Sequence, residues 1–103
     1  MINNVGDLPA EIKIYYSLDS APSEIKLQDL DGNLLSKLTF KSFEKQDNDV
    51  FILINSKTHL IEGLDNTFNK TGNLYNKYID TGYFFDAPVG RTKIISGTEF
   101  YKV

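Results

Sequence analysis

The chain has 103 residues, 41% of them hydrophobic, which is enough for one packed core and too little for two. It contains no cysteine, which excludes a disulfide framework and a cysteine-ligated zinc site. The net charge of −3, with scattered lysines and Arg91 as the single arginine, argues against nucleic acid as a partner, and no stretch approaches the roughly 20 apolar residues of a membrane-spanning helix.

Met1 to Pro9 is polar and holds Gly6 and Pro9, so a leading arm without regular structure is expected. Its first residues, Met1-Ile2-Asn3-Asn4, lack the basic and apolar regions of a signal peptide, which makes cytosolic synthesis the expectation. From Ile12 to Tyr16, Ile12 and Ile14 alternate with Lys13 at the period of two that turns apolar side chains to one face of a sheet. Ser17 to Ser23, with Pro22, is a loop. Ile25 and Leu27 then alternate with Glu24, Lys26 and Gln28 until Asp31-Gly32, a hairpin signal because a tight turn needs positive φ, which Gly supplies freely. Leu34, Leu38 and Phe40 share one parity of the returning strand, and Lys37, Thr39 and Lys41 hold the other.

Glu44 to Asp49 is a charged loop, followed by the unbroken apolar run Val50 to Ile54, predicted as a central strand covered on both faces. Asn55-Ser56-Lys57 is a turn, His59 to Glu62 a returning strand ending before Gly63, and Asp65 to Gly72 a loop. Asn73 to Asp80 fits two patterns. Leu74, Tyr75, Tyr78 and Ile79 match a helical face with Asn73 as N-cap, but Tyr and Ile favour sheets, and a strand or irregular segment is preferred. Gly82 to Phe85 is a further strand and Ala87 to Gly90 a turn. Thr92 to Ser96 and Glu99 to Val103 form a closing hairpin around Gly97-Thr98. About seven or eight short strands without a long helical pattern specify an all-β protein, an antiparallel β-sandwich or jelly roll, in a single domain over residues 1–103.

The chemistry-bearing residues are sparse. His59 is the only histidine, so no multi-histidine metal site can form, and no Gly-x-Ser-x-Gly elbow presents a nucleophile beside it. It reads as a partly exposed strand or turn residue. Asp47 and Asp49 lack the rest of an EF-hand loop and read as an acidic turn. The glycines Gly6, Gly63, Gly72, Gly82, Gly90 and Gly97 are isolated, so no phosphate-cradling loop appears. No catalytic, metal or cofactor residue is assigned, and the chain is read as no enzyme. Six Tyr and seven Phe suit either a core or a ligand face, which leaves Tyr75, Tyr78 and Tyr83 as candidates for stacking on sugar rings.

Several segments carry a resemblance through their order. Asn4-Val5-Gly6-Asp7-Leu8-Pro9 leads into Ile12-Lys13-Ile14, then come Asp31-Gly32-Asn33 and Asp49-Val50-Phe51-Ile52-Leu53-Ile54-Asn55-Ser56. Tyr83-Phe84-Phe85-Asp86-Ala87-Pro88-Val89-Gly90 follows before Ile94. This succession resembles the C-terminal, galectin-like domain of the distal tail proteins of long, non-contractile-tailed phages. It departs from that family at Arg91-Thr92-Lys93, where an asparagine usually follows the last turn glycine, and the family's N-terminal ring domain has no counterpart in these residues. The resemblance implies a galectin-like sandwich, a non-enzymatic structural role in the phage tail or baseplate, and other tail proteins as partners. It also implies synthesis in the bacterial host cytoplasm and a final place at the virion tail tip. A carbohydrate-binding module for host cell-surface polysaccharide is the alternative. No catalytic residue transfers.

Overall fold

The computed structural model describes residues 2–96, with the backbone alone for Ser96. Alternation produces the buried faces. In Lys13–Ser17 (β2), Ile14 and Tyr16 are buried while Lys13 and Tyr15 face solvent. Ile25 and Leu27 are buried from Glu24–Asp29 (β3), and Leu38 and Phe40 from Leu34–Phe40 (β4). Leu34 has the parity of Leu38, yet it is exposed. A bulge between Leu27 and Gln28 skips Leu35 and pairs Leu34 with Gln28, which turns Leu34 to the opposite face.

Five strands form one antiparallel sheet in the order β1 (Ile2–Asn4), β9 (Gly90–Ser96), β3, β4 and β8 (Ile79–Gly82). Four form the other, in the order β2, β5 (Phe51–Asn55), β6 (Leu60–Leu64) and β7 (Lys70–Leu74). The chain is therefore an all-β antiparallel sandwich, with nine strands among the described residues rather than seven or eight. Ile12, Ile14 and Tyr16 meet Ile25, Leu38 and Phe40 across the sandwich, with Ile52, Ile54, Ile61 and Tyr75 completing the core. β5 lies between β2 and β6, as the apolar run predicts. Ile52 and Ile54 join the core, and Leu53 is buried on the outer face between Tyr15 and Glu62 of the neighbouring strands.

The expectation of an irregular leading arm is corrected at Ile2–Asn4, which pairs with the start of β9 through Ile2↔Thr92 and Asn4↔Gly90. Three residues are too few to display a period; the half-buried Ile2 and the Asn4 amide, which donates to the carbonyls of Leu8 and Ala87, hold the strand in place. The loop expected over Asp65 to Gly72 is shorter, because Lys70–Gly72 belong to β7. This edge strand is mostly exposed and polar, so no apolar alternation marks it. Gly63 lies inside β6, while His59 stays in the preceding turn at φ 58.

Asn73 to Asp80 is divided among three elements: the end of β7, a 3-10 turn at Asn76–Tyr78, and the start of β8. The strand expected over Gly82 to Phe85 is also corrected, since Gly82 ends β8 and Tyr83–Asp86 are not strand. There Phe84 and Phe85 pack against the core, and Ala87 forms one bridge with Ala10. The expected strand from Thr92 begins at Gly90. The hairpin partner Glu99 to Val103 and its tip Gly97-Thr98 lie outside the described residues.

One close approach sets a stability prediction. A Cβ on Gly63 would stand 2.6 Å from Cγ of the fully buried Asp49, so the carboxylate rests directly on the glycine backbone. Gly63→Ala is expected to cost about 1–3 kcal/mol by overpacking, read as a lower denaturation midpoint with an unchanged slope. A wild-type midpoint would contradict this contact.

Candidate functional site

The three sequence candidates fall in different environments. Tyr75 is 0% exposed, between β7 and the 3-10 turn, so it is a core residue and offers no ring to a ligand. Tyr78 is half-buried, with its ring 5.5 Å from Phe43 and the Lys77 ammonium 5.3 Å from its centroid. Tyr83, 83% exposed just after β8, shares no ring contact with either among the described residues. The structure thus joins Tyr75 and Tyr78, at 6.0 Å between centroids, in the packing of one end of the sandwich and leaves Tyr83 apart.

Asp49 and Tyr75 belong to one buried polar cluster. Thr71 Oγ1 and Asn73 Nδ2 donate to the Asp49 carboxylate, and the Tyr75 hydroxyl donates to it at 2.5 Å while accepting from Gln46 N at 2.9 Å. Three side-chain donors offset the loss of water around this carboxylate. Burial, and then the bond to Asp49, push the Tyr75 phenol up to about 12. Asp47, at φ 33, stays exposed in the preceding turn. Among the described residues, no group of three or more His, Cys, Asp or Glu side chains converges on a metal position.

His59 stacks on Phe84 at 5.3 Å. Ser56 Oγ accepts from Ile12 N at 2.7 Å and donates to Asp86 at 2.6 Å, so this hydroxyl ties the residue before β2 and the Phe85 segment to the turn after β5. No helix among the described residues is long and apolar enough to cross a membrane.

Two surfaces remain that the sequence did not single out. The first is one end of the five-stranded sheet. Asn4 pairs with Gly90, Asp29 with Thr92, and Gln28 with Leu34, so β1 and β3 leave the sheet where β9 and β4 enter it. This end carries Val5, Leu8, Leu30, Leu34, Leu35 and Val89, each between 47% and 87% exposed. These exposed apolar side chains make this end a candidate contact surface.

The second surface lies on the outer face of the four-stranded sheet, at the hairpin between β6 and β7. Its turn repeats the design of the hairpin between β3 and β4. Asp29 Oδ1 accepts from the backbone of Asp31 and Asn33, and Asp65 Oδ1 accepts from the backbone of Thr67 and Asn69. Hydrogen bonds, from the Asn33 side chain first in one turn and the Thr67 side chain first in the other, hold both carboxyls below their usual range. The fourth residue of each turn has positive φ: Gly32 at 90° and Phe68 at 65°. A phenylalanine there costs about 1–2 kcal/mol relative to right-handed backbone. Its ring stacks on Phe51 at 4.3 Å and 9°, with Tyr15 edge-on at 6.2 Å, and remains 54% exposed. The spacing shared by Asp29-Leu30-Asp31-Gly32-Asn33 and Asp65-Asn66-Thr67-Phe68-Asn69 is the sequence signal that marks Phe68.

The chain matches no protein-family model, no curated protein and no solved structure.

The buried cluster yields a prediction with a pH sign. Tyr75→Phe removes one donor from a buried carboxylate and is expected to cost about 1–3 kcal/mol. The fold favours the neutral phenol, so its contribution is complete below the unfolded value near 10.0 and is lost as pH rises toward about 12. Denaturation midpoints across that window should fall more steeply for the wild type than for Tyr75→Phe. Parallel curves would contradict the assignment.

Proposed function

We propose that this chain is a non-enzymatic assembly module that docks another protein through the apolar end of its five-stranded sheet. The single observation that carries this reading is the convergence of Val5, Leu8, Leu30, Leu34, Leu35 and Val89 at the ends of four strands. These side chains contribute nothing to the core while exposed, and their burial against a partner is favourable at about 25 cal/mol per Å² of apolar area. Asp7 and Asp31 in these loops and Asp29 at the end of β3 stand against Arg91 and Lys93 of β9, a slight acidic excess that favours a partner with an apolar centre and a basic rim.

The ordered resemblance to the galectin-like domain of distal tail proteins supplies the partner class, a protein of the phage tail or baseplate. In this reading the sandwich is the scaffold and its loops are the contact, at the tip of the virion tail. The register brings four strand ends to one end of the sheet, and this reading takes their short apolar segments as one surface.

The test is association of the full chain with individual tail and baseplate proteins by size-exclusion chromatography and calorimetry. Leu8→Asp combined with Leu34→Asp is expected to weaken binding at least tenfold, equivalent to about 1.4 kcal/mol, with the melting temperature unchanged. Unchanged affinity in this variant would reject the surface. Absence of binding to every tail protein, with normal virion assembly after deletion of the domain, would reject the role.

A further inference from the structure

We propose that Phe68, backed by Phe51, is a stacking platform for a pyranose ring of a neutral polysaccharide, with the polar depression beside its turn supplying hydrogen bonds. This site lies on the outer face of the four-stranded sheet and is separate from the apolar docking end. It also differs from the tyrosines that the sequence nominated.

The argument begins with the backbone. In the sister turn the left-handed position is filled by Gly32, which adopts it without steric penalty. The same hydrogen-bonded device at Asp65 places a bulky ring at that position, held at φ 65 and more than half exposed. A bulky residue at positive φ is an outlier, and such outliers concentrate at ligand sites. Phe51 covers one face of the ring at 4.3 Å and fixes its orientation, and Tyr15 stands edge-on to it, so the platform is already rigid before a ligand arrives.

The surroundings select the ligand. The turn adjoins a depression lined by Lys45, Asp47, Asn48, Val50, Asp65 and Asn66. The Asn66 amide has no hydrogen-bond partner among the described residues and can both donate and accept. Asp65 Oδ1 is occupied by its own turn, and Lys70 is paired with Glu62 at 3.2 Å. Two lysines against three carboxylates in and beside this depression disfavour a polyanion. A flat apolar ring on a turn whose adjoining depression carries the Asn48 and Asn66 amides instead suits a neutral sugar, which presents C–H groups on one face and hydroxyls around its edge.

The experiment is affinity electrophoresis and calorimetry of the full chain against soluble neutral glucan, galactan and mannan, with a teichoic acid as the polyanionic probe. At least one neutral polymer is expected to retard the chain. Phe68→Gly, which suits the left-handed position, should lower that affinity at least tenfold. Phe68→Tyr should retain it, Asn66→Ala should weaken it severalfold, and Tyr83→Ala should leave it unchanged. Thermal melting establishes that each variant is folded. The proposal is overturned if no neutral polymer binds, if Phe68→Gly binds as well as the wild type, or if teichoic acid is preferred. It is also overturned if Phe68 is required for binding a tail protein and for no polysaccharide.

Discussion

The buried carboxylate of Asp49 is the interaction on which one end of the sandwich depends. It lies against Gly63 in β6, receives hydrogen bonds from Thr71 and Asn73 in β7, and is closed by the hydroxyl of Tyr75 just beyond that strand. The same hydroxyl accepts from Gln46, which fixes the loop that delivers the chain into β5. A charge without solvent is tolerated only where its acceptor sites are satisfied, so these contacts stand or fall together. The polar edge strand β7, which offers little apolar surface of its own, is secured largely through them.

With β7 secured, the hairpin before it presents Phe68 over Phe51 and Tyr15. Leu53 and Leu64 are buried although neither belongs to the sandwich core, and the aromatic cluster shares their outer face. The other sheet sends its exposed apolar residues elsewhere, to the end where β1, β9, β3 and β4 meet. The molecule thus separates an aromatic surface from an aliphatic one. A flat ring suits a rigid ligand, whereas aliphatic side chains on several loops suit a broad, shape-matched protein contact.

Strands that bury one face carry their own record in the sequence. Ile14 and Tyr16, and Ile25 and Leu27, were legible because period two follows directly from backbone geometry, and the run into β5 because an unbroken apolar stretch of strand length marks a central strand. The Asp31-Gly32 turn was legible for a similar reason, although the loop spans Leu30 to Asn33 and only Gly32 takes positive φ among its residues. β1 and β7 were missed because an edge strand is defined by its neighbour's hydrogen bonds, and neither has an apolar alternation to reveal it. Tyr75 reads as a surface candidate because a tyrosine has a ring and a hydroxyl in either setting; the packing of its ring against Phe43 and Tyr78 and the bond of its hydroxyl to Asp49 make it core.

The amino-acid sequence by itself determined an all-β fold, the Asp31-Gly32 and Asn55-Ser56-Lys57 hairpin turns and the central buried strand, since these rest on contacts between near neighbours or on runs of apolar residues. It also contained the repeated Asp-x-x-x-Asn turn, with a phenylalanine where its twin has glycine. Tertiary structure decided which residues are brought together: Asp49 under Tyr75, Phe68 on Phe51, and six separated aliphatic residues at one end. Each of these depends on strand register across the two sheets, and a slip of one residue, as at Leu35, exchanges the buried face for the exposed one.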